Sequence, residues 1–161
     1  MSRIPLAISL LAVVGMALSA VSLKNHYSGE KTEYCDLSDN FNCDLVNRSV
    51  YSHIGPVPVA AIGLVGYAAL FVLSRLRQRG ARVLILLGAL AGLAFALRLT
   101  YIEAYVLGVW CILCLGSLAT IVLITVLSAV SVGKKAVPAD TELARIAENH
   151  VGRAPSPAAF R

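Results

Sequence analysis

Cysteine is the residue whose placement in this 161-residue sequence points most directly to chemistry. There are four, in two pairs: Cys35 and Cys43, eight residues apart, and Cys111 and Cys114 in the run Cys-Ile-Leu-Cys. A Cys-x-x-Cys that opens a helix has a physical meaning. The unpaired amides and the dipole of a helix N-terminus stabilise a thiolate, and the thiolate is the nucleophile of disulfide exchange. Leu115 follows the pair where c-type haem attachment requires His, so that motif is excluded. A static staple explains Cys111–Cys114 poorly, because closing so short a loop removes little chain entropy. Cys35–Cys43 reads equally well as a loop staple or as a second exchange pair. A four-thiolate zinc site is the remaining alternative.

The elements that must position these thiols are apolar helices. The chain is 58% hydrophobic and 14% charged, with a mean hydropathy of +0.76, against about 45–50% and about 25% for soluble domains. Intrinsic disorder and an ordinary soluble domain are both excluded. Four apolar windows, 4–23, 57–74, 83–107 and 110–132, approach or exceed the length needed to cross a hydrocarbon core of roughly 30 Å. In lipid such windows must be helical, since nothing else satisfies their amides. The expected fold is all-α: a four-transmembrane-helix bundle over 1–133, with a redox loop, 24–56, that contains a short helix, and a tail, 134–161.

Positive charge sets the sidedness. Arg75, Arg77, Arg79 and Arg82 crowd the link between the second and third windows, Arg3 precedes the first, and Lys134 and Lys135 follow the fourth. The first loop instead holds Glu30, Glu33, Asp36, Asp39 and Asp44 against Lys24, Lys31 and Arg48. Both termini are therefore expected in the cytoplasm and the first loop outside. Ala17-Leu18-Ser19 resembles a signal-cleavage site, but the apolar run continues to Leu23 and is read as a retained span. The net charge of +5 is a topology signal, and no nucleic-acid partner is expected.

On this topology all four thiols lie on the outer, oxidising side, where disulfides persist. Two pairs, one in an aqueous loop and one at the bilayer surface, suggest a relay. The loop pair meets a soluble dithiol, and the membrane pair gives its electrons to something lipophilic. A flavin would need a large polar fold that the chain lacks, whereas a quinone fits the location.

The order of the motifs carries a resemblance. Cys35-x7-Cys43, Ser49 six residues later, and Cys111-x-x-Cys114 opening the last span resemble the vitamin K epoxide reductase family in its bacterial form, over residues 1 to about 132. The resemblance implies a thiol:quinone oxidoreductase of the bacterial cytoplasmic membrane, with no metal and no flavin. Cys35 would engage the partner's thiol, Cys43 would form a transient disulfide with Cys111, and Cys114 would reduce ubiquinone or menaquinone. Ser49 matches the family's loop Ser/Thr. The family's quinone-binding Asn and Tyr correspond to Val59 and Leu118, neither a hydrogen-bond donor, which argues against epoxide reduction. The 28-residue tail is too short for a thioredoxin domain, so that partner is expected to be a separate periplasmic chain.

Several further expectations follow from the residues. Asp44 can start the loop helix and Gly55-Pro56 end it, with Val46, Val50 and Ile54 as an apolar stripe. Arg98 and Glu103 read as interfacial anchors, and Tyr101, Tyr105 and Trp110 as an aromatic belt. Trp110 is also a candidate for packing on the quinone. Tyr67 and Phe71 read as filler, His26 and His53 as surface histidines, and Gly63 and Gly66 as close-approach sites. Beyond Pro138 a short helix, 141–150, and a frayed end at Pro155-Ser156-Pro157 are expected.

Overall fold

The structure, a computed structural model, describes residues 3–28, 35, 41–76 and 78–151, with 79 and 134–151 described by backbone alone. The expectation for Pro155–Pro157 and most of the loop's acidic charges lie outside these residues. The elements in order are α1 (Arg3–Ser28), α2 (Cys43–Arg48), a 3-10 turn (Val50–Ser52), β1 (His53–Ile54), β2 (Val57–Pro58), α3 (Val59–Arg75), α4 (Arg79–Ile102), a π-helical turn (Glu103–Leu107) and α5 (Ile112–Val151). Three segments, Arg3–Ser28, Gly80–Leu107 and Ile112–Gly133, are long and apolar enough to cross a membrane. The fourth apolar helix, Val59–Arg75, has 17 residues. At about 1.5 Å per residue it is roughly 26 Å long, a little under the hydrocarbon thickness. It is shortened because the β1–β2 hairpin takes up residues on its N-terminal side.

The bundle is inside-out relative to a soluble protein. Ile8, Tyr67, Leu70, Ile85, Ala89, Ile121 and Ile124 form the core, while Leu10, Val65, Val72, Leu87, Leu123 and Val126 face outward. A continuous exposed apolar surface of this kind is stable against lipid rather than water. Hydroxyls within the helices are satisfied locally: Thr120, Thr125 and Ser128 each donate to the carbonyl four residues back, at 2.7–2.8 Å.

α1 and α3 run antiparallel and meet through small residues. A Cβ on Gly15 would lie 2.6 Å from Tyr67 Cζ, and one on Gly63 would lie 3.0 Å from Ser19 Oγ. At both positions a side chain of the facing helix occupies the space that a Cβ would need. Gly66, expected as another close-approach site, meets no atom within 4 Å of a built Cβ, because its side of α3 faces a cavity. At the other end the Ser9 and Ser74 hydroxyls close the pair at 2.7 Å. α5 does not stop after Gly133 but continues as helix through Pro138 to Val151. The segment carries the helix formers Ala136, Ala139, Ala144, Ala147, Glu142 and Glu148, and the proline costs it one intrahelical bond without ending it.

Candidate active site

The chemistry-bearing residues meet where α1 ends and α5 begins. Asn42 Oδ1 accepts from the Leu45 amide at 2.8 Å, so Asn42, not Asp44, caps α2. Asp44 sits inside the first turn, where its charge suits the dipole. Cys43 is the first helical residue. At Ser49 the backbone turns extended, with ψ 160°, and its Oγ donates to the Val46 carbonyl at 2.9 Å. The loop helix therefore ends at Arg48, short of Gly55-Pro56. The break puts later residues out of helical phase: Val46 is buried while Val50 is 83% exposed and Ile54 also faces outward. The expected apolar stripe does not form.

α5 is approached through the π turn, a left-handed residue and a short strap. Gly108 has φ 66°, a conformation that strains residues with a Cβ. Trp110 then forms a parallel bridge with Phe41, and the Asn42 amide donates to the Trp110 carbonyl at 3.1 Å. This strap joins the redox loop to the mouth of α5. The Leu115 amide donates to the Cys111 carbonyl at 3.0 Å, which makes Cys111 the helix's first hydrogen-bonded acceptor and puts Cys114 in its first turn.

The consequence is a sulfur cluster. Cys35 and Cys43 form a disulfide with Cα atoms 5.7 Å apart, and the Cys111 thiol donates to Cys43 Sγ at 3.3 Å. Cys35, Cys43 and Cys111 are each 1% exposed or less. A sulfur about 3–3.5 Å from a disulfide sulfur is at near-attack distance, so exchange between the two pairs needs only a small movement.

Cys114 lies one step further in, on the wall of a cavity of about 470 Å³. Its wall is mostly apolar and comes from α1, α2, α3, α4 and α5, with Val59, Gly66, Phe95 and Leu113 among its residues. Ser49 also lines it, and Trp110 does not. The strap aligns Trp110's backbone with Phe41, and Trp110 stays outside the cavity lining. Tyr101 and Tyr105 are exposed, with rings 4.7 Å apart, as an aromatic belt requires.

Three polar residues on this wall, Tyr67, Asn47 and His26, were not read as site residues from the sequence. Tyr67 is not filler: its hydroxyl donates to the Ser117 carbonyl at 2.9 Å and is 2.9 Å from Ser117 Oγ. Asn47 Oδ1 accepts from Ser22 Oγ at 2.8 Å, while its buried Nδ2 has no partner. His26 Nδ1 is 2.6 Å from the Asn47 carbonyl, and His26 Nε2 is 3.0 Å from His53 Nε2. His53 is thus paired, in a hairpin rather than on a helix with Ser49.

Glu103 is the largest departure from expectation. Arg98 is exposed, as an anchor should be, but Glu103 is 2% exposed. The π turn rotates it inward, where Oε2 accepts from the Cys111 amide at 3.2 Å and the carboxyl also interacts with the Cys114 thiol. Its Oε1 is buried without a hydrogen-bond partner. The available signal was a carboxyl inside an apolar window, which is a functional candidate by default.

The model of the vitamin K epoxide reductase family matches residues 6–129, a stretch that holds all four cysteines and Ser49. The chain belongs to the vitamin K epoxide reductase family. Membership brings with it oxidoreductase chemistry of the thiol–disulfide type, in keeping with a disulfide and a thiol in contact. No curated protein matches the chain. Of the positions corresponding to the vitamin K epoxide reductase family's quinone-binding pair, Val59 lines the cavity and Leu118 packs on the core. Among the described residues no group of three or more His, Cys, Asp or Glu side chains is placed to hold a metal ion.

Proposed function

We propose that this protein is a thiol:quinone oxidoreductase that reoxidises a thioredoxin-like dithiol protein. The observation that carries the reading is the 3.3 Å contact between Cys111 Sγ and Cys43 Sγ, with Cys114 of the same Cys-x-x-Cys on the wall of an apolar cavity. The partner's thiolate attacks Cys35 and releases Cys43. Cys43 then attacks Cys111, breaking a Cys111–Cys114 disulfide and releasing Cys114. The partner's second thiol then frees Cys35, and the partner leaves as a disulfide. Cys35 attacks Cys43 and releases Cys111. Cys111 and Cys114 are then both reduced beside a reformed outer disulfide, as in this structure, and two electrons are stored beside the cavity.

The cavity fits the acceptor. Its volume of about 470 Å³ lies within the roughly 300–1,000 Å³ of small-molecule sites. Its apolar wall suits a lipid-borne ring, and the orphaned donor Asn47 Nδ2 suits a ring bearing carbonyl oxygens. A quinone bound there would supply a two-electron, two-proton acceptor. Asn47 and Ser49 are the polar residues that would orient it, in place of donors at Val59 and Leu118. The four-span topology, with cytoplasmic termini and the cysteine end in the periplasm, belongs to the same proposal.

The test is quinone consumption by the purified full-length protein, supplied with a reduced thioredoxin-fold protein and either a ubiquinone or a menaquinone. One quinone reduced per dithiol oxidised is expected, with activity lost in Cys43→Ser, Cys111→Ser and Cys114→Ser. Full activity in Cys114→Ser would overturn the relay. Disulfides that react only after denaturation would make the protein a stapled scaffold instead.

A further inference from the structure

The relay explains where two electrons go but not the two protons that accompany them. Cys111 is buried and Cys114 half-buried on the cavity wall, and electrons leaving them as a new S–S bond forms must be matched by proton movement. Among the described residues, the acidic side chain at that point is Glu103. Glu103 is 2% exposed, bound through Oε2 to the Cys111 amide at 3.2 Å, and lines the same cavity as Cys114. Its Oε1 has no hydrogen-bond partner. A buried carboxyl held by one amide, with no cation paired to it among the described residues, is costly as a structural element and is retained where it has work to do. The π turn that aims it inward is itself a less stable local geometry found often at functional sites.

We propose that Glu103 is the proton-transfer group of the inner pair, taking the Cys114 thiol proton and passing it into the cavity. In the first step the Cys114 S–H bond breaks and an O–H bond forms on Glu103, leaving Cys114 as thiolate and Glu103 as neutral acid. In the second, Cys111 and Cys114 join as a disulfide, two electrons pass to an acceptor of the quinone class, and Glu103 returns its proton to an oxygen of that acceptor. The Cys111 thiol proton follows through the same carboxyl. Overall two S–H bonds are replaced by one S–S bond and two O–H bonds, and Glu103 ends ionised as it began.

The inference rests on the quinone reading, and the experiment separates the two. Infrared difference spectra are recorded on full-length protein in nanodiscs as the inner pair is cycled with dithiothreitol and a mild oxidant, without quinone. The carboxylate stretches of Glu103 are expected to shift with thiol state in the wild type, because the Cys114 S–H beside the carboxylate exists only in the reduced pair, and to be absent in Glu103→Gln, which keeps the oxygen that accepts from Cys111. In parallel, reduction of a short-chain quinone is expected to slow on the order of 10²-fold in Glu103→Gln, as loss of a general acid–base group does. It should recover partly in Glu103→Asp, while Cys43–Cys111 exchange, followed by peptide mapping, continues in all three. A thiol-linked carboxyl band in a wild type that reduces no quinone would sink the quinone reading alone. No carboxyl change in the wild type, or equal quinone rates in wild type and Glu103→Gln, would overturn the role of Glu103.

Discussion

The contact between Cys43 and Cys111 can be tested apart from any partner or quinone by leaving only those two thiols in the protein. In Cys35→Ser/Cys114→Ser the remaining sulfurs start 3.3 Å apart. A disulfide bond is about 2.05 Å long, so about 1.3 Å of approach is needed, a movement that side-chain rotation supplies without shifting the backbone. The comparison is Cys35→Ser/Cys111→Ser, which leaves Cys43 with Cys114, a thiol on the cavity wall rather than against the loop. Misplacing reacting atoms by about 1 Å can cost on the order of 10²-fold in rate, so the first variant should form its bond about 10²-fold faster under the same dilute oxidant. The assay is a time course of acid quench, alkylation and mass spectrometry of the linked peptides, with thermal unfolding confirming that both variants are folded. Equal rates would mean that the strap from Phe41 to Trp110 does not hold the loop in register. The assignment of Cys43 and Cys111 as the exchanging pair would then fail.

Three further outcomes are expected. Asn42→Ala removes the α2 cap, costing about 1 kcal/mol; in a Cys35→Ser background this should speed alkylation of Cys43 about fivefold, and an unchanged rate would show that the cap does not hold the loop. Gly15→Ala sets a methyl against the Tyr67 ring and should destabilise the bundle by about 1–3 kcal/mol, seen as a lower unfolding temperature in detergent; no change would mean the helices separate freely. Tyr67→Phe removes the hydroxyl that bonds Ser117 and should cost about 0.5–1.5 kcal/mol in unfolding free energy while leaving Cys43–Cys111 exchange intact.

Much of this was legible in the chain. Apolar windows announced the helices because lipid leaves the backbone no other way to satisfy its amides. The order of Cys35, Cys43, Ser49, Cys111 and Cys114 announced the family and its thiol chemistry, since spacing along a strand or helix is a local property. Other features were settled by contacts between segments far apart in sequence. Asn42 is recognised as a cap, and Cys43 as the neighbour of Cys111, only once the strap to Trp110 is in place. The loop helix was overextended because hydrophobic spacing continues past Ser49, whereas the backbone turns there.

Glu103 shows the boundary most clearly. Along the chain it is a carboxyl near the end of an apolar run, and snorkelling to the interface is the ordinary fate of such a group. Which way it points is decided by a π turn, whose extra residue rotates the chain relative to an α-helix, and by the free amide of Cys111 waiting at the start of the next helix. Composition and spacing determine that sulfur chemistry and apolar helices coexist. Only packing of five elements around one cavity decides which polar atoms share it with the sulfur, because burial depends on the direction each helix face is turned and not on residue type.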